Sequence, residues 1–275
     1  MTIVFAGALS HAPGIMAWTD AAPPAQKERT FRAFEAMRRE LEAAKPEQLI
    51  LFTSEHWANF FLDHISPFCI GRATSYSGPI EPWLKIDRVT LKGDPELATE
   101  ILQECYRGDL EPGYAYEMEF DHGTMIPLHF LMPKMNLPVL PVMINTLAHP
   151  QPSVRRCMAL GRVIGDVARR STRRIGLIAT GGLSHDPGER NHGVIDEDFD
   201  LGFLDAMKRG DLDKLSRYVV EDFAAAGAGT IELLSWVALA AAIQGGRQGD
   251  VFVYEPIKQW AAGIGAMTFA DYPTQ

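Results

Sequence analysis

Four short apolar runs, at residues 2–8, 48–53, 139–145 and 175–180, constrain this 275-residue chain more than any other feature. Segments of helical periodicity alternate with them. In 25–44, Phe31, Phe34, Met37, Leu41 and Ala44 recur at helical spacing with charges between them, and Pro46 follows; 154–170 also reads as a helix. Strand-helix-strand order of this kind implies parallel strands joined by crossovers and covered on both faces. Further helices are predicted at 196–209, 212–220 and 230–244, and a late strand at 251–254. The expected fold class is α/β, a mostly parallel central sheet flanked by helices, forming a single catalytic domain over 1–275. Residues 68–120 show a weaker pattern, rich in Gly, Pro and aromatics, and predict a loop-bearing excursion around a pocket. No repeat, low-complexity tract or linker interrupts the chain.

Composition excludes several function classes. A hydrophobic content of 47% is ample for a large core, and a net charge of −9 argues against nucleic-acid or anionic-membrane binding, which needs a basic excess. Cys69, Cys105 and Cys157 are odd in number and widely spaced, so they suggest neither a disulfide framework nor a zinc ribbon, and a reducing cytoplasm is expected. The apolar run at 233–243 falls short of the roughly 20 residues that span a membrane. The amino terminus lacks a basic leader and is interrupted by His11, so it does not read as a signal peptide.

Chemistry-bearing residues fall where apolar sequence gives way to small or polar residues. The segments are Ala8-Leu9-Ser10-His11-Ala12-Pro13-Gly14, Ser54-Glu55-His56, Asp121-His122-Gly123, Gly181-Gly182-Leu183-Ser184-His185-Asp186-Pro187 and Gly229-Thr230-Ile231-Glu232-Leu233. His11, His56 and His185 each follow a predicted strand, and open α/β sheets bind ligands at the carboxyl ends of their strands. One shared crevice there would serve as the active site. Two or more histidines with one carboxylate is the donor set of a non-haem iron(II) oxygenase. Competing readings are plain: a lone histidine is usually a surface or core hydrogen-bonding residue, and Glu232 near a helix start could face solvent, favoured by the positive helix terminus. A glutamate facing the apolar residues that follow it would instead need a cation or a partner. His64, His129, His149 and His192 lack a comparable setting and read as structural.

Taken in order, these five segments resemble the class III extradiol ring-cleavage dioxygenases, the superfamily of the protocatechuate 4,5-dioxygenase β subunit and of 2,3-dihydroxyphenylpropionate 1,2-dioxygenase. The resemblance implies that His11, His56 and Glu232 bind Fe(II), that His185 serves as acid and base, and that His122 is a second active-site histidine. Such a ligand set leaves about three of six octahedral positions for both oxygens of an aromatic diol and for O2. The implied product is a ring-opened semialdehyde or keto acid. Glu55 precedes His56 where the family pattern leads one to expect Asp, which leaves open what supports that ring. No segment resembles the small subunit that caps the protocatechuate enzyme, so a homo-oligomer is expected, with an accessory subunit left open. Rival readings are cleavage of an aminophenol at the same site, a zinc-dependent hydrolase, and a non-catalytic binding member of the fold. Trp57, Phe60, Phe61, Trp83 and Tyr116 are weak candidates for an aromatic wall. Arg72, Lys85 and Arg88 are weak candidates for a substrate carboxylate, and Thr268 is a weak pocket candidate.

Overall fold

The computed structural model describes residues 2–188, 191–244 and 248–269. In it the apolar runs become β1 (Ile3–Leu9), β2 (Gln48–Thr53), β7 (Val139–Ile144) and β8 (Ile175–Thr180). The excursion contributes β3 (Phe68–Gly71), β4 (Ser75–Gly78), β5 (Val89–Lys92) and β6 (Gly113–Ala115), and the C-terminal part adds β9 (Gly249–Ile257) and β10 (Ala262–Phe269). Eight of these form one sheet in the order β6-β3-β7-β2-β8-β1-β10-β9, while β4 and β5 pair separately. The middle of the sheet, β7-β2-β8-β1, is parallel throughout, as the alternating pattern predicts. Antiparallel pairing enters toward the edges, where β3 meets β7 and where β10 lies between β1 and β9.

Period-two side-chain alternation sorts the core onto two faces. Ile50, Phe52, Leu140, Val142, Leu177 and Ala179 bury against one set of helices, and Leu49, Leu51, Val139, Met143 and Ile178 against the other. The first face carries the helix Leu234–Ala242, whose nine residues are all buried. A helix apolar all round must be enclosed; this one lies between the sheet and the helix Val154–Arg170. Gly161 and Gly165 permit that approach, because a Cβ on either would lie 2.0 or 2.1 Å from the carbonyl oxygen of Ala238 or Ala242. The second face is covered by Pro24–Ala44 and His122–Leu131, which touch each other.

Several predicted elements differ in detail. The helix expected at 230–244 begins as a 3-10 helix, Ala228–Leu233, and becomes α-helical only at Leu234. The segment 212–220 divides into Leu212–Arg217 and Val220–Ala225. The excursion holds the amphipathic helix Pro95–Arg107, capped by Asp94 accepting from the Leu97 N–H. Strand β10 escaped prediction because its Gly and Ala content carries little β preference. It is nevertheless buried along its whole length.

Candidate metal centre

Because β7, β2, β8 and β1 run parallel, their carboxyl ends share one rim. From that rim β1 delivers His11, β2 delivers His56, β8 delivers His185 and β7 delivers Thr146 and Leu147. His122 enters from the first turn of His122–Leu131, and Glu232 from the 3-10 helix. All five predicted site residues line one cavity of about 220 Å³, with Ala12, Pro13, Thr146, Leu147, Pro187, Ala228 and Gly229. Glu232 is 3% exposed, so of its two readings the core-facing one holds.

The backbone brings Glu232 into place through the turn after β8. Gly181 has φ of +113°, and a Cβ there would lie 2.7 Å from the Glu232 Cβ, so only glycine suits this position. Its carbonyl accepts from the Trp236 indole N–H at 3.0 Å, and the next residue, Gly182, donates its N–H to Glu232 Oε2 at 2.8 Å. Ser54 adds a hydroxyl 3.3 Å from Glu232 Oε1.

Around this carboxylate the histidines repeat one arrangement, with Nδ1 against an oxygen. His11 Nδ1 lies 3.1 Å from Thr180 Oγ1, whose own hydrogen points to Thr53 Oγ1 or the Gly123 carbonyl. His56 Nδ1 lies 3.0 Å from Asp121 Oδ2, which also accepts the His56 backbone N–H at 2.7 Å. His122 Nδ1 lies 2.6 Å from Glu81 Oε1, and His185 Nδ1 lies 2.8 Å from the Leu183 carbonyl. Carboxylates and carbonyls only accept, so in the neutral form of each ring Nδ1 carries the hydrogen and Nε2 keeps a lone pair.

The lone pairs meet at Glu232. His56 Nε2 is 2.8 Å from Oε1, His11 Nε2 is 3.2 Å from Oε2, and His185 Nε2 is 3.8 Å from Oε2. Two imidazole lone pairs facing a buried carboxylate repel it unless a cation or proton stands between them. His11 Nε2 is fully buried and has no hydrogen-bond partner, so its geometry there fits a metal ion better than a proton. The electrostatics show the same demand for positive charge between these groups. Burial would favour neutral His56, yet the charges of Asp121 and Glu232 outweigh it and hold its pKa well above the usual histidine range. Burial likewise works to raise Glu232, and His11, His56 and His185 overcome it and hold its pKa well below the usual carboxylate range. Asp121 is drawn down to about 2, against its burial, by the charge of His56. A bound cation would exert the same pull. The ligand atoms of His11, His56 and His122 also lie within 4.8 Å of one another.

Other sequence candidates fall elsewhere. Glu55 accepts the N–H groups of Ala58 and Asn59 at 2.8 and 2.9 Å and so caps its own turn, while Asp121 supports His56. Trp57 and Phe60 line an adjoining recess that shares Thr146 and Leu147 with the cavity, and Phe61 is exposed. Trp83 stacks on Trp18 with its ring 5.8 Å from that of His122. Arg72 packs over the Tyr116 ring, Arg88 pairs with Glu119, and Thr268 donates to Glu40; with Lys85, none of these lines the cavity. Sequence reasoning missed Glu81, which has no motif to announce it. Asp121 was quoted only as the neighbour of His122.

Comparison with known proteins points the same way. A 2,3-dihydroxyphenylpropionate/2,3-dihydroxicinnamic acid 1,2-dioxygenase of Dechloromonas aromatica is 28% identical, over 94% of this chain and 95% of that protein. Enzymes of the same name from Klebsiella pneumoniae strain 342 and Burkholderia vietnamiensis are each 29% identical, over 84% and 94% of this chain and 88% and 95% of theirs. The crystal structure of an uncharacterized Escherichia coli K12 protein, JW3007, shares the fold, with a TM-score of 0.62 at 13% identity over 97% of this chain and 99% of that one. A family model matches residues 6–265, a span that takes in every residue of the cavity. The chain therefore belongs to the family described as the catalytic LigB subunit of aromatic ring-opening dioxygenase.

Proposed function

We propose that this chain is a non-haem iron(II) extradiol dioxygenase, acting as one catalytic domain, that opens the ring of a catechol-type aromatic with O2 to a semialdehyde or keto acid. The observation that carries this reading is the meeting of His11 Nε2 and His56 Nε2 on the two oxygens of buried Glu232, at 3.2 and 2.8 Å. His11, His56 and Glu232 would hold the ion. When bound, iron(II) supplies a path for electrons from the aromatic diol to O2.

The chain's own groups do the rest. His185 Nε2, left as an acceptor by the Nδ1 bond to Leu183, takes a hydroxyl proton from the diol and later returns it to the departing oxygen. Gly229 receives the ring closely: its N–H donates to the His185 carbonyl at 3.0 Å. His122, which lines the same cavity, would also contact the diol. Ala12, Pro13, Leu147, Pro187 and Ala228 give the cavity an apolar lining that suits a flat ring. The relatives' names make 2,3-dihydroxyphenyl compounds the first substrates to try.

Oxygen uptake by the purified chain across a panel of catechols and aminophenols, with and without added iron(II) and reductant, tests the reading. Iron-dependent uptake with a yellow product is expected; no uptake across the panel, or zinc as the only activating metal, would overturn it. We further propose a cytoplasmic homo-oligomer. The free, buried state of Cys69, Cys105 and Cys157 supports the compartment, and light scattering of the purified protein tests the assembly. No helix among the described residues is long and apolar enough to cross a membrane.

A further inference from the structure

We infer that Glu81 is the positioning residue for His122, holding its ring with Nδ1 protonated so that Nε2 is the atom offered to a substrate hydroxyl. What the cavity holds rests on the dioxygenase reading above; the state of the ring does not.

Glu81 lies in the segment between β4 and β5, 41 positions before the histidine it contacts. One oxygen, Oε1, accepts twice from His122: from Nδ1 at 2.6 Å and from the backbone N–H at 3.1 Å. The two side chains are only 14% and 8% exposed, so water competes little for either bond. A doubly used oxygen fixes the ring relative to its own backbone. Asp121 does the same for His56, using Oδ2 for both the N–H and Nδ1. The two rings so held lie 4.0 Å apart, with His11 at 5.7 Å and Trp83 at 5.8 Å from His122, and this packing resists a ring flip.

The consequence concerns the sign of the group facing the diol. An ionised carboxylate cannot donate, so the hydrogen of neutral His122 sits on Nδ1 and Nε2 presents a lone pair to the cavity that His122 lines. That lone pair accepts an O–H and turns the hydroxyl toward it. Without Glu81 the hydrogen is free to sit on Nε2, and the ring would donate where it should accept. Carboxylates that orient metal-ligating imidazoles typically cost about 10–100-fold when removed, and a loss of the same order is expected here.

Two-bond ¹H–¹⁵N correlation spectra of the full-length, zinc-loaded protein read the tautomer directly, with the His122 signals identified by their loss in His122→Gln. The Nδ1–H form is expected in the unaltered protein. Glu81→Leu, which removes the acceptor, should populate the Nε2–H form. In the iron-loaded enzyme it should lower kcat about 10–100-fold, with unchanged iron per chain and a smaller change in KM. Glu81→Gln retains an acceptor oxygen and should recover both the tautomer and much of kcat. An Nε2–H ring in the unaltered protein overturns the inference even if Glu81→Leu fails to fold. So does full kcat in Glu81→Leu, or a second metal per chain bound through Glu81, Asp121 and His122, since that ion would displace the Nδ1 hydrogen. Absence of oxygen uptake by the unaltered enzyme would defeat the dioxygenase reading and leave the tautomer result standing.

Discussion

Replacing Gly229 with alanine should disable His185 without touching the proposed metal ligands. A Cβ at Gly229 would lie 2.1 Å from His185 Nε2, 2.3 Å from Cδ2 and 2.5 Å from Cε1. Relief to an ordinary contact of about 3.5 Å requires the ring to move by roughly 1.4 Å. The backbone cannot yield instead, because the Gly229 N–H is tied to the His185 carbonyl at 3.0 Å and Glu232, in the same 3-10 helix, is tied to Gly182. A displacement of about 1 Å in a reacting group costs on the order of 100-fold. Gly229 is not in the left-handed region, so alanine brings no backbone penalty of its own. The assay is steady-state oxygen uptake with the best catechol, alongside iron per chain and Tm. The expected result is a kcat reduced about 100-fold, close to that of His185→Ala, with iron content and Tm near those of the unaltered protein. Full turnover by Gly229→Ala would refute the placement of His185 and with it the proton-transfer role.

Glu232→Gln keeps the size of the side chain but loses its charge, and iron affinity should fall by well over the roughly 100-fold that marks the upper range for groups supporting a ligand; equilibrium dialysis measures it, and full iron retention would remove Glu232 from the ligand set. Asp121→Asn weakens the hold on His56 Nδ1, so the same measurement should show a smaller loss, about 10–100-fold. Asp200 provides a pH test away from the proposed metal site. Burial pushes its carboxyl up to about 6, only partly offset by bonds from Ser184 and Tyr254. Its folded pKa exceeds the unfolded value of 3.8, so its contribution to stability is complete below 3.8 and is lost as pH rises through 6. Asp200→Asn should therefore gain roughly 1–2 kcal/mol relative to the unaltered protein between pH 5 and pH 8, read from urea midpoints, and a pH-independent difference would contradict the assignment.

Much of this arrangement was legible because strand periodicity and residue chemistry coincide. The runs ending at Leu9, Thr53 and Thr180 announce buried parallel strands, and a histidine after each, at 11, 56 and 185, follows from the rule that open sheets bind at strand ends. Glu232 was legible as an anomaly, a carboxylate ahead of nine residues that bury completely. Gly227 and Gly229 stand just ahead of it, where a Cβ would lie 2.3 Å from the His185 carbonyl oxygen or 2.1 Å from its Nε2. What stayed hidden depends on tertiary meeting alone. Glu81 reaches His122 from a segment with no periodicity. Glu55 stands where the family pattern leads one to expect Asp, which left the support of His56 open; its side chain turns toward Ala58 and Asn59, and Asp121 holds the ring instead. The aromatic and basic candidates were chosen by residue type, which says nothing about direction, and Arg72 and Tyr116 spend their contacts on each other.

The pairing of β1 with β10 also sets a timetable. Ser10, next to His11, donates its N–H to the Gly265 carbonyl and accepts the Gly265 N–H on its hydroxyl, both at 2.9 Å. A nascent chain emerging from the ribosome thus exposes its first imidazole early, but the strand that steadies it is made more than two hundred residues later. On the proposed reading, tight capture of an ion must wait until translation has passed that point, so truncated copies would hold it poorly.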